Sequence, residues 1–374
     1  MRLVMLEGVG LSVVGVRIGW VVLLGVVALL SGCGQVLRDD IIVFVCNHDV
    51  LVPVIDVDGT PTGEFGTAPR ARLCQINSDG TGFVELHPQV AVASGPLISP
   101  DRAHVSILVP EDGSDGRGRG LLVLDWQGEE RAFVASDAGV WSTGAWSPDG
   151  EELMFRAGGE LVIAPIGEGV RETLVVGDQE AIWFVAPSPD GVHVAVSLWP
   201  DTENVPSGER RLVLVNRDSG VVEDLEVVAD PNDLAWSPDG QVLAVTSGLD
   251  QLSLVDPYRR ELVEVIATDD EEPVFSVSWS PDGQLLAYVL GATVMVHDLD
   301  RAESVAVTQP QVQVASGPPS WSPDGQRLVV AARIEGDDSP HELMTVRADG
   351  TDPKFITRGV NGAGPNGNAW PMWT

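Results

Sequence analysis

An all-β, seven-bladed propeller is the fold this sequence predicts, on three observations. A turn motif recurs with a period in the forties, short apolar runs flank each copy, and the strand missing from the first repeat stands at the chain's far end. Trp236-Ser237-Pro238-Asp239-Gly240 returns at Trp146–Gly150, Trp279–Gly283 and Trp321–Gly325, with looser copies at Pro187–Gly191 and Ile98–Arg102. The motif prolines at 100, 148, 189, 238, 281 and 323 are spaced by 48, 41, 49, 43 and 42 residues. Pro presets the first corner of a turn, Asp bonds back to nearby backbone, and Gly supplies the positive φ that closes it. Asp101, Asp149, Asp190, Asp239, Asp282 and Asp324 are accordingly read as structural turn residues, and the preceding Trp as packing between blades. A repeat of this length built from short strands marks a propeller blade.

Residues 1–32 come first and read as an export signal. Arg2 and Arg17 precede the uncharged run Ile18 to Leu30, and small residues follow before a cut site. Leu30-Ser31-Gly32-Cys33 resembles the bacterial lipoprotein signal, which implies cleavage before Cys33 and lipidation of its thiol. The alternative is an uncleaved anchor, since Ile18 to Leu37 is 20 uncharged residues, about a bilayer's span. Either way the body is expected outside the cytoplasm, held at the cell envelope, with residues 33–40 as a short tether and 41–374 as one propeller domain.

The blades follow in order. Full blades are predicted over 95–136, 140–176, 181–228, 233–268, 274–308 and 318–357, each an inner strand, the Pro-Asp turn, and three further strands. Alternating runs such as Leu252-Ser-Leu-Val-Asp256 fit half-buried sheet, and no stretch after the signal has a helical period. Ile41–Cys46, Arg72–Ile76 and Phe83–Leu86 read as the second, third and fourth strands of a seventh blade. Its inner strand is found in Pro371-Met372-Trp373-Thr374, which parallels Pro319-Ser320-Trp321-Ser322. Pairing the two ends closes the ring and removes an exposed sheet edge.

Charge and cysteine narrow the partners. The chain carries 22 basic and 55 acidic residues, a net charge of −33. Nucleic acid and anionic lipid headgroups need Lys and Arg to neutralise phosphate, so neither is an expected partner. With Cys33 assigned to lipid, Cys46 and Cys74 remain, and in an oxidising compartment they are expected to pair across the 27-residue insertion between them. Two separate buried thiols are the alternative.

The Trp-Ser-Pro-Asp-Gly-x-x-Leu-Ala pattern, with third strands ending as Asp349-Gly350-Thr351, resembles the TolB-type (WD40-like Pro-Asp) propeller repeat over nearly all of residues 41–374. The resemblance implies the propeller fold. It does not carry over the role of TolB itself, which has an additional N-terminal domain. Repeats of the same kind also precede the catalytic domain of prolyl-oligopeptidase-type enzymes and form oligogalacturonate lyase.

The search for chemistry is mostly negative. There is no Gly-x-Ser-x-Gly elbow, His-Glu-x-x-His, Cys-x-x-Cys or phosphate loop in the body. His48, His87, His104, His193, His297 and His341 are spread over separate repeats, so no metal site is expected. Asp56-Val-Asp58-Gly59 opens like a calcium loop, but Thr60 and Pro61 break the ligand pattern, and a plain turn is the expectation. The resulting expectation is a non-enzymatic, monomeric, lipid-anchored propeller without cofactor, binding an envelope protein, peptide or glycan through a face or channel. The insertion Asn47–Ala71 and the loop Trp199–Glu209 are its candidate contact elements. The alternative is a propeller enzyme such as a polysaccharide lyase. His with Arg at a channel mouth would favour that enzyme, and a channel lined by Asp would favour cation binding.

Overall fold

Seven antiparallel sheets follow one another along the chain, each with its inner strand joined by a Pro-Asp turn or ring closure to the next strand out. The computed structural model describes residues 40–55, 61–88, 90–110, 118–135, 144–157, 159–177, 180–200, 210–248, 250–267, 272–315, 317–336, 341–358 and 371–374, with the side chains of 47–55, 61–70, 135, 200 and 267 left aside. The signal, Cys33 and Asp56–Gly59 lie outside the described residues. Asp40–Thr374 forms one compact unit. Among the described residues no α-helix is present and none is long and apolar enough to cross a membrane.

Each strand alternates its side chains between two faces, and here both faces are buried against neighbouring blades. In the closing blade Ile42, Phe44, Cys46 and Trp373 pack with Val329 and Leu343 of the sixth blade. The intervening Val43 and Val45 pack with Val105, Ile107 and Leu122 of the first blade. That is why Ile41–Cys46 reads as an unbroken apolar run rather than a half-polar one. Clusters of the same kind fill every other blade junction. A fully buried Val, Leu or Ile contributes roughly 1.5–3 kcal/mol, so the junctions hold the ring together.

The inner strand of the closing blade is Met372–Trp373, paired with Val43 and Ile42 as the sequence predicts. Thr374 N–H donates to Ile41 O at 2.9 Å, and Trp373 N–H donates to Ser320 Oγ at 2.8 Å. The sixth blade departs from its predicted start at 318. Both Val312–Val314 and Ser320–Trp321 pair with Arg327–Ile334, so its inner strand is split. The Asn47–Ala71 insertion is no loose loop. Ile41–Ile55 and Pro61–Asn77 continue the blade as one long hairpin, with Asn47 opposite Ala71. Cys46 and Cys74 sit diagonally at its base, Cα atoms 5.9 Å apart and sulfurs joined.

The repeated turn has one hydrogen-bond pattern. In the fourth blade Ser237 Oγ–H donates to Asp239 Oδ1 at 2.6 Å, Gln241 N–H donates to the same oxygen, and Val242 N–H donates to Ser237 Oγ. Gly240 closes the turn at φ 69°, where a Cβ would be strained. The Ser–Asp bond recurs with Asp101, Asp149, Asp282 and Asp324. Each motif Trp reaches back one blade. Trp236 Nε1–H donates to Ala186 O and Trp279 Nε1–H to Ala235 O, both at 2.9 Å.

Candidate functional site

Three neighbouring inner strands, Glu180–Pro187, Pro231–Trp236 and Val274–Trp279 in blades three to five, each carry a β-bulge near their entry end. The register shifts fall between Ile182 and Phe184, Pro231 and Asp233, and Phe275 and Ser278. A bulge leaves residues unpaired and re-aims their side chains, and such irregularities cluster at functional sites. Ser276 adopts φ 60°, unusual for a non-glycine residue and a store of roughly 1–3 kcal/mol of strain. Trp183, Phe184, Asn232, Asp233, Phe275 and Ser276 thereby line a cavity of about 860 Å³, to which the second blade adds Arg156.

Asp233 is the titratable group of this cavity. Leu234 N–H donates to Oδ1 at 3.0 Å and Val277 N–H to Oδ2 at 3.2 Å, so the carboxylate ties the fourth blade to the bulge of the fifth. Burial pushes its carboxyl up to about 6, against the amides of Val277, Leu234 and Ser276, which pull it down. Desolvation wins because no cation pairs with the carboxylate among the described residues. Three amides leave one of the carboxylate's four lone pairs, so the group can still accept a proton. Asn232 Nδ2–H donates to Gly248 O at 2.6 Å, and Arg156 Nη1–H to Ile182 O at 3.0 Å.

Beside the cavity the rings of Trp183 and Trp199 stand 5.6 Å apart, and the Arg210 guanidinium lies 4.9 Å and 4.4 Å from them. Trp183, Phe184 and Trp199 are 51%, 37% and 38% exposed. Trp199 belongs to the second strand His193–Pro200, whereas the remainder of the predicted contact loop, 201–209, lies outside the described residues.

A second cavity of about 600 Å³ is lined by inner-strand residues of the first four blades, among them Ile98, Pro100, Trp146, Pro148, Phe184 and Trp236, and its lining includes no ionisable side chain. Neither His with Arg nor Asp is found in it. His104 stacks on Trp146, His193 Nδ1 lies 2.7 Å from Asp190 Oδ2, and His297 Nδ1 lies 2.9 Å from Ser304 Oγ, each in a different blade. Among the described residues no three His, Cys, Asp or Glu side chains converge as a metal site. The predicted turn carboxylates Asp101, Asp149, Asp239, Asp282 and Asp324 are each bonded to the Ser of their own turn, and Asp190 to His193 and to Tyr258 of the next blade.

The residues that line the larger cavity were not among the sequence candidates. One signal was available. Five positions before the turn proline, blades three, four and five carry Phe184, Asp233 and Ser276, and an acidic residue inside a short buried strand calls for a partner.

These features define a seven-bladed β-propeller with a pocket at blades two to five that holds Asp233 and Arg156. No protein-family model and no characterised protein matches the sequence, so the TolB-type likeness rests on the repeat motif alone. Solved structures do match the fold. An oligogalacturonate lyase in complex with manganese aligns with TM-score 0.58 at 14% identity, covering 82% of this chain and 84% of that one. The oligogalacturonate lyase of Vibrio parahaemolyticus aligns with TM-score 0.56 at 14% identity, covering 83% and 85%. Kuenenia stuttgartiensis hydrazine synthase aligns with TM-score 0.51 at 18% identity, covering 71% and 90%.

The expectation of a non-enzyme is corrected by these matches. It rested on missing catalytic motifs and scattered histidines in a chain that is nearly all propeller. Two of the matched structures are lyases whose length is mostly the shared propeller, so that premise fails. The manganese belongs to the neighbour. The described residues here offer no convergent donor set that fits such an ion.

Proposed function

We propose that this chain is a propeller enzyme of the lyase type acting on an acidic, uronate-containing oligosaccharide, with the cavity at blades two to five as its site. The observation that carries this reading is Asp233, a carboxyl raised to about 6 beside aromatic rings and Arg156 in one cavity. A proton acceptor works best when its pKa lies near the working pH. The Arg156 guanidinium suits a sugar carboxylate, whose charge must be offset before the adjacent C–H can ionise. Asp233 takes that proton, the electron pair forms a carbon–carbon double bond, and the neighbouring glycosidic C–O bond breaks, its oxygen taking a proton from water. The net charge of −33 opposes an anionic substrate at long range, but screening confines that field to about 8 Å at physiological salt.

The test is incubation of the full chain with oligouronides, following the ultraviolet absorbance of unsaturated product. Wild type gives product and Asp233→Asn gives none. An Asp233→Asn chain as active as wild type, or a wild type inert on all uronides, overturns the reading.

The chain is further proposed to work outside the cytoplasm, held at the envelope through lipid on Cys33. The Leu30-Ser31-Gly32-Cys33 motif supports this. Labelled palmitate is expected to enter wild type but not Cys33→Ser, and equal incorporation removes the anchor.

A further inference from the structure

We propose that Trp183, braced by Arg210 and Trp199, is a stacking platform for a second sugar ring beside the one held at Asp233, so that the site takes uronate chains rather than single sugars. This rests on the reading of the pocket given above.

Exposure is the first ground. Three of the four motif tryptophans of the inner strands, Trp146, Trp236 and Trp321, are 7–9% exposed and the fourth, Trp279, is half-buried, whereas Trp183 is 51% exposed at the cavity wall. A large indole left in water forgoes a burial that its neighbours obtain, and such patches mark ligand surfaces. Rigidity is the second. The ring is held by Trp199 and by the Arg210 guanidinium, and Arg210 is itself tied, its N–H 3.3 Å and its Nη1 3.5 Å from Asp230 Oδ1. A preorganised aromatic face binds with little entropy left to lose.

The third ground is chemistry. A pyranose presents a C–H face that suits the negative face of an indole, with hydroxyls left at its rim for water. A cationic ligand is disfavoured because the Arg210 guanidinium already lies over both rings. A nucleobase could stack equally well, but its phosphate chain meets a protein of charge −33 that offers few cations to neutralise it. The uronate keeps the aromatic contact and its carboxylate suits the pocket guanidinium.

The experiment is calorimetric titration of the full-length Asp233→Asn chain, which binds without turnover, using galacturonate, di- and trigalacturonate and a neutral cello-oligosaccharide. Trigalacturonate is expected to bind about tenfold tighter than the monomer, the scale of one good ring contact. Adding Trp183→Ala should abolish that gain and Trp183→Phe should keep most of it. A gain that survives Trp183→Ala overturns the platform and leaves the pocket reading standing. A neutral oligosaccharide bound as tightly as trigalacturonate overturns the uronate assignment of the platform. Absence of any uronate binding, together with absence of turnover by wild type, overturns both.

Discussion

Blade three and blade four share a backbone plan and differ in what their inner strands do. In blade four Trp236 is buried, donates to Ala186 O, and is followed by the Ser237–Asp239 bond. In blade three the equivalent position is Pro187, which has no side-chain donor. Its turn is rearranged as well. Ser188 Oγ lies 3.4 Å from Tyr258 Oη, and Asp190 accepts from His193 Nδ1 at 2.7 Å and Tyr258 Oη at 3.2 Å. Tyr258 of the next blade thus ties to this turn. At the other end of the same strand, Trp183 and Phe184 face the cavity. Blade three thus presents an exposed indole to the cavity, where the stapled blades four and five present Asn232, Asp233, Phe275 and Ser276.

Three substitutions and titrations would break or sharpen that contrast. The largest effect is expected from one residue type in two settings. Trp236→Ala should lose about 3–5 kcal/mol in denaturant unfolding, because it empties a junction core. Trp183→Ala should stay within about 0.5 kcal/mol, because it lies at the surface. Equal losses would show that Trp183 is a packing residue.

Next is pH. Asp233 has a folded value of about 6, above its ordinary 3.8, so the folded chain holds this proton more tightly than the unfolded one. Its contribution to stability is full below about pH 4 and is lost as pH rises through about 6, a change of about 3 kcal/mol that Asp233→Asn should remove. The turn carboxylates behave with opposite sign. Asp239 and Asp282 are held below the ordinary range by their Ser hydroxyls and by the amides of Gln241 and Gln284. Their contribution is present above about pH 4 and is lost as pH falls. Unfolding midpoints of wild type and Asp233→Asn between pH 4 and 7 measure the difference, and parallel curves would remove the raised carboxyl.

The smallest effect separates the turns. Ser280→Ala removes the bonds to Asp282 and from Leu285 N–H and should lose about 1–2 kcal/mol. Ser188→Ala in blade three, where the Asp190 bond is replaced, should lose less than about 1 kcal/mol by the same measurement.

Much of the fold was legible from local chemistry. Pro and Gly fix turn dihedrals wherever they stand, and strands buried on both faces read as apolar runs, so blade order and the closing role of Trp373 followed directly. The split inner strand of blade six and the long hairpin over Asn47–Ala71 were not legible, since pairing partners decide where a strand stops.

By itself the sequence determined the ring: its repeat, its turns, and which end completes the closing blade. The repeat and its turns depend on residues within one period of each other, and the closing strand is legible because Pro371–Thr374 copies Pro319–Ser322. The pocket depended on tertiary structure alone. It joins Arg156, Trp183, Asp233 and Ser276 from four blades, and the desolvation that raises Asp233 exists only once those blades have closed around it.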